Sequence, residues 1–144
     1  MGNADFKRAA ESYEKAISTG GENDLLVAKL ADTYVKLQRL DLAKKMLVKV
    51  VEKDPKNSEA LYRLCHQLIA EKEYAEVRRY LQARTSAKSG WHYLIEGELN
   101  EVEGNINAAT AAYTRAIKML PNVSEAQAGC GRIYLLGKKY ANAI

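Results

Sequence analysis

Small side chains recur along this chain at a fixed beat. Ala9, Ala43, Ala109 and Ala143 stand 34, 66 and 34 residues apart, and Val77 fills the missing place, 34 after Ala43 and 32 before Ala109. A second series, Ala31, Cys65, Gly97 and Gly131, keeps step with the first at 34, 32 and 34. Two helices approach closely only where one side chain is small, and a larger neighbour then fills the groove. A beat of this length in helical sequence constrains the chain to a stack of helix hairpins. One hairpin cannot bury its own apolar face and relies on the next. The product is extended surface, which favours binding over catalysis.

The text between the beats has the matching grammar. In 24–57 the first helix carries Leu26, Val27, Leu30, Tyr34 and Leu37, the recurrence of one helix face. A polar break, Gln38 to Asp41, precedes a second helix that Asp41 is expected to cap and Asp54-Pro55 to end. In 58–89 the apolar positions are Leu61, Leu64, Cys65 and Leu68, then Tyr74, Val77, Tyr80 and Leu81. In 90–123 they are Trp91, Leu94, Ile95, Leu99 and Val102, then Ile106, Ala109, Tyr113, Ala116 and Ile117 before Pro121. A partial unit, 124–144, opens with Ala126, Cys130, Ile133 and Tyr134, is expected to turn near Gly137-Lys138, and starts again at Tyr140–Ala143. At the front, residues 3–20 read as the second helix of a unit whose first is missing, closed by Gly20-Gly21. Ile144 falls in the first turn of a helix, so a fragment of a longer array is expected.

Composition narrows the class. With 144 residues, 47% hydrophobic and only two prolines, the chain has the material for one continuous helical core. No apolar run is long enough to span a membrane, and Met1 to Lys15 carries no leader pattern. The net charge of +4 divides as −1 for 1–23, +3 for 24–57, +2 for 58–89, −2 for 90–123 and +2 for 124–144. Alternating signs describe a solvated repeat surface rather than the sustained basic stripe of a nucleic-acid face. Cys65 and Cys130 fall two units apart, beyond disulfide reach, and read as small hydrophobes in a reduced chain.

These residues resemble the tetratricopeptide repeat, whose pattern is W-x2-L-G-x2-Y, then A-x3-F, A and P. The match in 24–57 is Leu30-Ala31-x2-Tyr34, Ala43-x3-Leu47, Val50 and Pro55. In 90–123 it is Gly97, Gly104, Ala109-x3-Tyr113, Ala116 and Pro121. Phe6, Ala9-x3-Tyr13 and Ala16 match at the front, and Gly131-x2-Tyr134, Tyr140 and Ala143 at the back. The resemblance implies an all-α, right-handed superhelical solenoid of antiparallel hairpins, truncated at both ends, with protein–protein recognition as its use. Unit 58–89 departs from the pattern, with Val77 and Arg84 where small residues belong and no closing proline, so its second helix or the Thr85–Gly90 turn is expected to be irregular. In the next helix, a one-residue shift that turns Ile95 and Leu99 inward would replace Glu96 and Asn100 at the apolar positions.

For function, the resemblance places ligand contacts on a groove formed by the first helices. On this chain those positions are Lys29, Asp32 and Lys36, then Tyr62, Arg63 and His66, then Leu94, Glu98 and Glu101, and finally Arg132. Lys29, Lys36, Arg63 and His66 would make one stretch basic, with Glu98 and Glu101 acidic beyond it, so a mixed-charge or acidic peptide segment is the expected partner. Tyr62 and Trp91 are candidate aromatic anchors. The clamp by which this family grips chaperone tails is missing: its positions carry Ala28 and Asp32, then Arg63, then Trp91 and Ile95. His66 and His92 have no nucleophile or carboxylate at catalytic spacing, and Glu96, Glu98, Glu101 and Glu103 read as a solvated helix face. No enzyme, metal, cofactor or small-molecule substrate is expected. The alternatives are an RNA-reading helical repeat, which lacks its repeated polar pairs here, and self-association through exposed ends, Phe6, Tyr13 and Ile17 at the front and Ile133, Leu136 and Tyr140 at the back.

Overall fold

A computed structural model describes residues 2–21, 23–84 and 88–143, with side chains as far as Lys139. The described residues form eight α-helices and no strand, so the fold class is all-α. Two compact units divide the chain within the fourth helix, after Gln67.

The first unit holds α1 (Asn3–Gly20), α2 (Asp24–Lys36), α3 (Leu40–Lys53) and most of α4 (Ser58–Ala70). Asn23 caps α2, its side chain accepting from the Leu25 amide at 2.9 Å. Three residues link α2 to α3, a connection so short that the helices must lie antiparallel side by side. They pack against each other, and Val27, Leu30 and Ala31 of α2 and Ala43, Leu47 and Val50 of α3 are all buried. Ala31 and Ala43 are the small side chains of this buried set, as their beat implies. Asp41 does not cap α3: the helix begins at Leu40, and Asp41 lies inside its first turn. There its carboxylate faces the positive end of the helix dipole without accepting a capping bond. The Gln67 side chain of α4 donates to the Leu40 carbonyl at 2.7 Å, tying α4 to the start of α3.

The second unit continues from Leu68 with α5 (Tyr74–Gln82), α6 (Gly90–Val102), α7 (Ile106–Met119) and α8 (Ser124–Ala143). At nine residues α5 is the shortest helix described, yet Val77 at the beat is buried. The irregular turn expected after it falls on Thr85, Ser86 and Ala87, outside the described residues. In α6 both Ile95 and Leu99 turn inward, which fixes the shifted register. The α7 ring of Tyr113 is the centre of this unit. A Cβ on Gly97 of α6 would lie 2.7 Å from that ring, and one on Gly129 of α8 2.3 Å from it. Two glycines on two helices therefore make room for one tyrosine.

Near Gly137-Lys138 the expected turn is absent, and α8 runs unbroken to Ala143. Gly131 consequently has nothing within 4 Å of its would-be Cβ, unlike its counterpart Gly97. The Ile144 expectation lies outside the described residues.

Each hairpin turn within a repeat uses the same device. Gln38, Lys72 and Gly104 have φ of 60°, 64° and 82°. The next amide, on Arg39, Glu73 or Asn105, reaches back to the carbonyl of Tyr34, Leu68 or Asn100 at 2.8 Å in each case. This left-handed closure satisfies the last orphan carbonyls of α2, α4 and α6.

Candidate peptide-binding groove

In the first unit, α2 and α4 flank a groove of about 410 Å³ lined by Asp24, Leu25, Ala28, Lys29, Asp32, Asn57, Glu59, Ala60 and Arg63. Three of the expected contact residues, Lys29, Asp32 and Arg63, share it. Arg63 is not an open cation, however. Its guanidinium grips both carboxylate oxygens of Asp32 across the helices and donates to Glu59 at 2.9 Å one turn away. Burial would lower the Arg63 pKa, but its bonds to Glu59 and Asp32 outweigh that and raise it. Five ionised groups line the groove, two basic and three acidic, so its local balance is −1. Of the basic side chains expected along this stretch, Arg63 is neutralised by Asp32 and Glu59.

The remaining first-unit positions scatter. Lys29 is exposed. Lys36 turns away toward α1, its ammonium 5.2 Å above the Phe6 ring. Tyr62 is only 4% exposed, so it belongs to the packed interior rather than standing out as an anchor. Exposed His66 lies against it, ring centroids 5.7 Å apart.

In the second unit the expected contacts divide between core and ion pairs. Leu94 is 0% exposed, and Glu98 is buried as well. Glu101 and Arg132 are brought together: the guanidinium donates from Nε at 2.9 Å and from a terminal nitrogen at 3.2 Å. The Tyr113 hydroxyl donates to the same carboxylate. Burial would raise the Glu101 pKa, but the Arg132 and Tyr113 bonds hold it below the usual carboxylate range. Burial, then Glu101, pushes the Tyr113 pKa up. Asp32–Arg63 and Glu101–Arg132 are the same construction, an acid on one first helix and an arginine 31 residues later on the next.

The acidic run of α6 is not a solvated face. Glu96 accepts from Lys88 at 2.8 Å and lies 3.1 Å from Nε2 of buried His92, and Glu103 pairs with Arg78 of α5. The His92 bond first, then Lys88, holds the Glu96 carboxyl down at about 2 against the opposing effect of burial. His92 is thus half of a helix-stabilising pair. The i, i+4 spacing of His92 and Glu96 was the signal for it. Trp91 is half-buried.

Among the described residues no cluster of three or more histidine, cysteine or acidic side chains could hold a metal ion, and no helix is long and apolar enough to cross a membrane.

Antiparallel helix hairpins with small residues at the repeat's beat define a helical-repeat protein. Tetratricopeptide repeat profiles match residues 27–57 and 102–144. Among solved structures the chain is similar to a tetratricopeptide repeat protein from Parabacteroides merdae ATCC 43184, with 21% identity over 97% of this chain and 56% of that one, TM-score 0.72. It is also similar to MamA 41-end from Desulfovibrio magneticus RS-1, with 16% identity over 96% and 79% of the two chains, TM-score 0.63. A further MamA crystal structure shares 26% identity over 94% and 80%, TM-score 0.62. The chain thus spans little more than half the length of the Parabacteroides protein. No curated protein matches it in sequence. The chain belongs to the tetratricopeptide repeat family, a protein-interaction fold that is generally not catalytic.

Proposed function

We propose that this chain is a non-catalytic recognition module that holds a peptide segment of a partner protein in the groove between α2 and α4. The observation that carries the reading is the groove itself: a concave site with an exposed leucine, Leu25, small Ala28 and Ala60, and Lys29 at its wall. Its flanks are fixed by the Asp32–Arg63–Glu59 pairing, so a bound segment meets a pre-ordered surface and little ordering cost is added on binding. Because Arg63 is neutralised, the local balance favours a segment of mixed or basic charge over the acidic one expected from sequence.

Selection from a displayed random-peptide library on the immobilised protein tests this. Enriched peptides should contain basic residues and lose binding to Ala28→Arg, which fills the groove, while retaining binding to Thr110→Arg on α7. Enrichment indifferent to Ala28→Arg would overturn the groove assignment.

A further inference from the structure

In the first unit α2 and α3 leave a small crevice between them, about 130 Å³, with Val27, Leu42, Met46 and Val50 as its apolar wall. A cavity on the order of 150 Å³ holds a benzene ring, so this one has room for a single apolar side chain. The neighbouring helices of the unit are in place and do not fill it. The Tyr34 hydroxyl donates to Glu14 of α1, and Gln67 of α4 donates to the Leu40 carbonyl at 2.7 Å. Among the described residues only α2 and α3 line the crevice.

Three lysines of α3, Lys45, Lys49 and Lys53, stand along its rim. Their spacing puts them on one helix face, successive levels about 6 Å apart. All three are exposed, and among the described residues neither Lys45 nor Lys49 is paired with a carboxylate. With Asp24 of α2 the lining has a local balance of +2, against −1 in the α2–α4 groove. Stacking does not ask for this ladder. One beat earlier the same positions carry Glu11, Lys15 and Thr19, and 66 residues on they carry Ala111, Arg115 and Met119. Like charges four residues apart on a helix repel, so the ladder by itself weakens α3.

We infer that this face is a second docking site, which takes an acidic amphipathic helix of a partner protein with one apolar side chain in the crevice and carboxylates along Lys45 and Lys49. A partner helix rises as α3 does, so carboxylates four residues apart on it match lysines four apart here. The crevice decides against two other anionic partners. Nucleic-acid phosphates bring nothing apolar to fill it. A lipid surface takes up apolar side chains that project, whereas Leu42 and Met46 are half-buried in the walls of a hollow. The acidic segment expected from the sequence thus has its complement on α3, and the α2–α4 groove is left to segments of mixed or basic charge.

Subtractive selection tests this on the full chain. A displayed random-peptide library is cleared on Lys45→Glu/Lys49→Glu and then enriched on the parent protein. The peptides recovered should be rich in aspartate and glutamate around a recurring apolar residue. Each should bind the double variant about tenfold more weakly or worse, and lose affinity with added salt. Each should also lose affinity when its apolar residue becomes serine, and bind Ala28→Arg as it binds the parent. Basic peptides released by Ala28→Arg report on the α2–α4 groove instead, so the two readings fail separately. Helix content by circular dichroism checks folding, and Lys45→Gln/Lys49→Gln replaces the double variant if that is unfolded. No peptide surviving the clearance, acidic peptides indifferent to the serine change, or acidic peptides released by Ala28→Arg would each overturn the proposal. So would phosphatidylglycerol vesicles or duplex DNA that bind the parent and not the double variant when no peptide does.

Discussion

Tyr113 shows how much one side chain can demand of its neighbours. Its ring occupies the space that side chains at positions 97 and 129 would otherwise take, and it has no exposed end through which to move aside. Gly129→Ala and Gly97→Ala should therefore each cost about 1–3 kcal/mol by overpacking, partly offset by alanine's better helix propensity of about 1 kcal/mol. Gly129→Ala should be the worse, its Cβ being the closer to the ring. Gly131→Ala has no ring to meet and should stabilise by about 1 kcal/mol. Urea midpoints of the three variants check both sign and order. The turn residues make a parallel case. Gln38 and Lys72 hold the left-handed geometry that Gly104 adopts without strain. Left-handed backbone costs an ordinary residue about 1–2 kcal/mol, while glycine returns part of that as unfolded-state entropy. Gln38→Gly and Lys72→Gly should each raise the midpoint slightly, and Gly104→Ala should lower it.

At the level of helices, the two alanine crossings and the two ion-pair staples perform different tasks. Ala43 and Ala109 set how near the helices come, both with no exposed surface. Ala43→Leu or Ala109→Leu should cost about 1–3 kcal/mol, read from thermal or chemical unfolding. Arg63 joins α2 to α4. Arg63→Glu would gather three carboxylates where one guanidinium now sits, so it should destabilise clearly more than Lys29→Glu on the exposed side of the same groove. The reverse order in unfolding experiments would contradict the structural role given to Arg63. This is also where sequence reading reached its limit. Periodicity marked the helices and the beat marked Ala31, Ala43 and Ala109, because those depend on spacing along one chain. The pairing of Arg63 with Asp32 and Glu59, and the burial of Tyr62 and Leu94, depend on neighbours from other helices. The resemblance named their positions as groove-facing, but a position's family role does not say whether its charge is already satisfied. Asp41 and Gly137 depart from expectation for a local reason. A good capping or turn residue is a permission, and the helix start at Leu40 and the unbroken α8 did not use it.

At the scale of the whole molecule, Glu96 and Glu101, carboxyls that the fold holds below their ordinary range, contribute to acid stability. Glu96 is held at about 2 against an ordinary 4.5, so the folded protein binds that proton less readily than the unfolded chain. Its stabilising contribution is complete above about pH 4.5 and disappears as pH falls toward about 2. Glu101, also lowered, acts with the same sign. Urea midpoints of the parent and Glu96→Gln should differ at neutral pH and converge as the solution is acidified through that window. Curves that stay parallel would show that Glu96 makes no pH-dependent contribution.

The 31-residue reach of Asp32 to Arg63, repeated by Glu101 to Arg132, has a consequence for how such a chain can change in length. One residue inserted within α4 ahead of Arg63, or within α8 ahead of Arg132, would rotate the arginine about 100° around its helix and away from its acid. Lineages of this protein should therefore gain or lose whole hairpins far more readily than single residues within these helices.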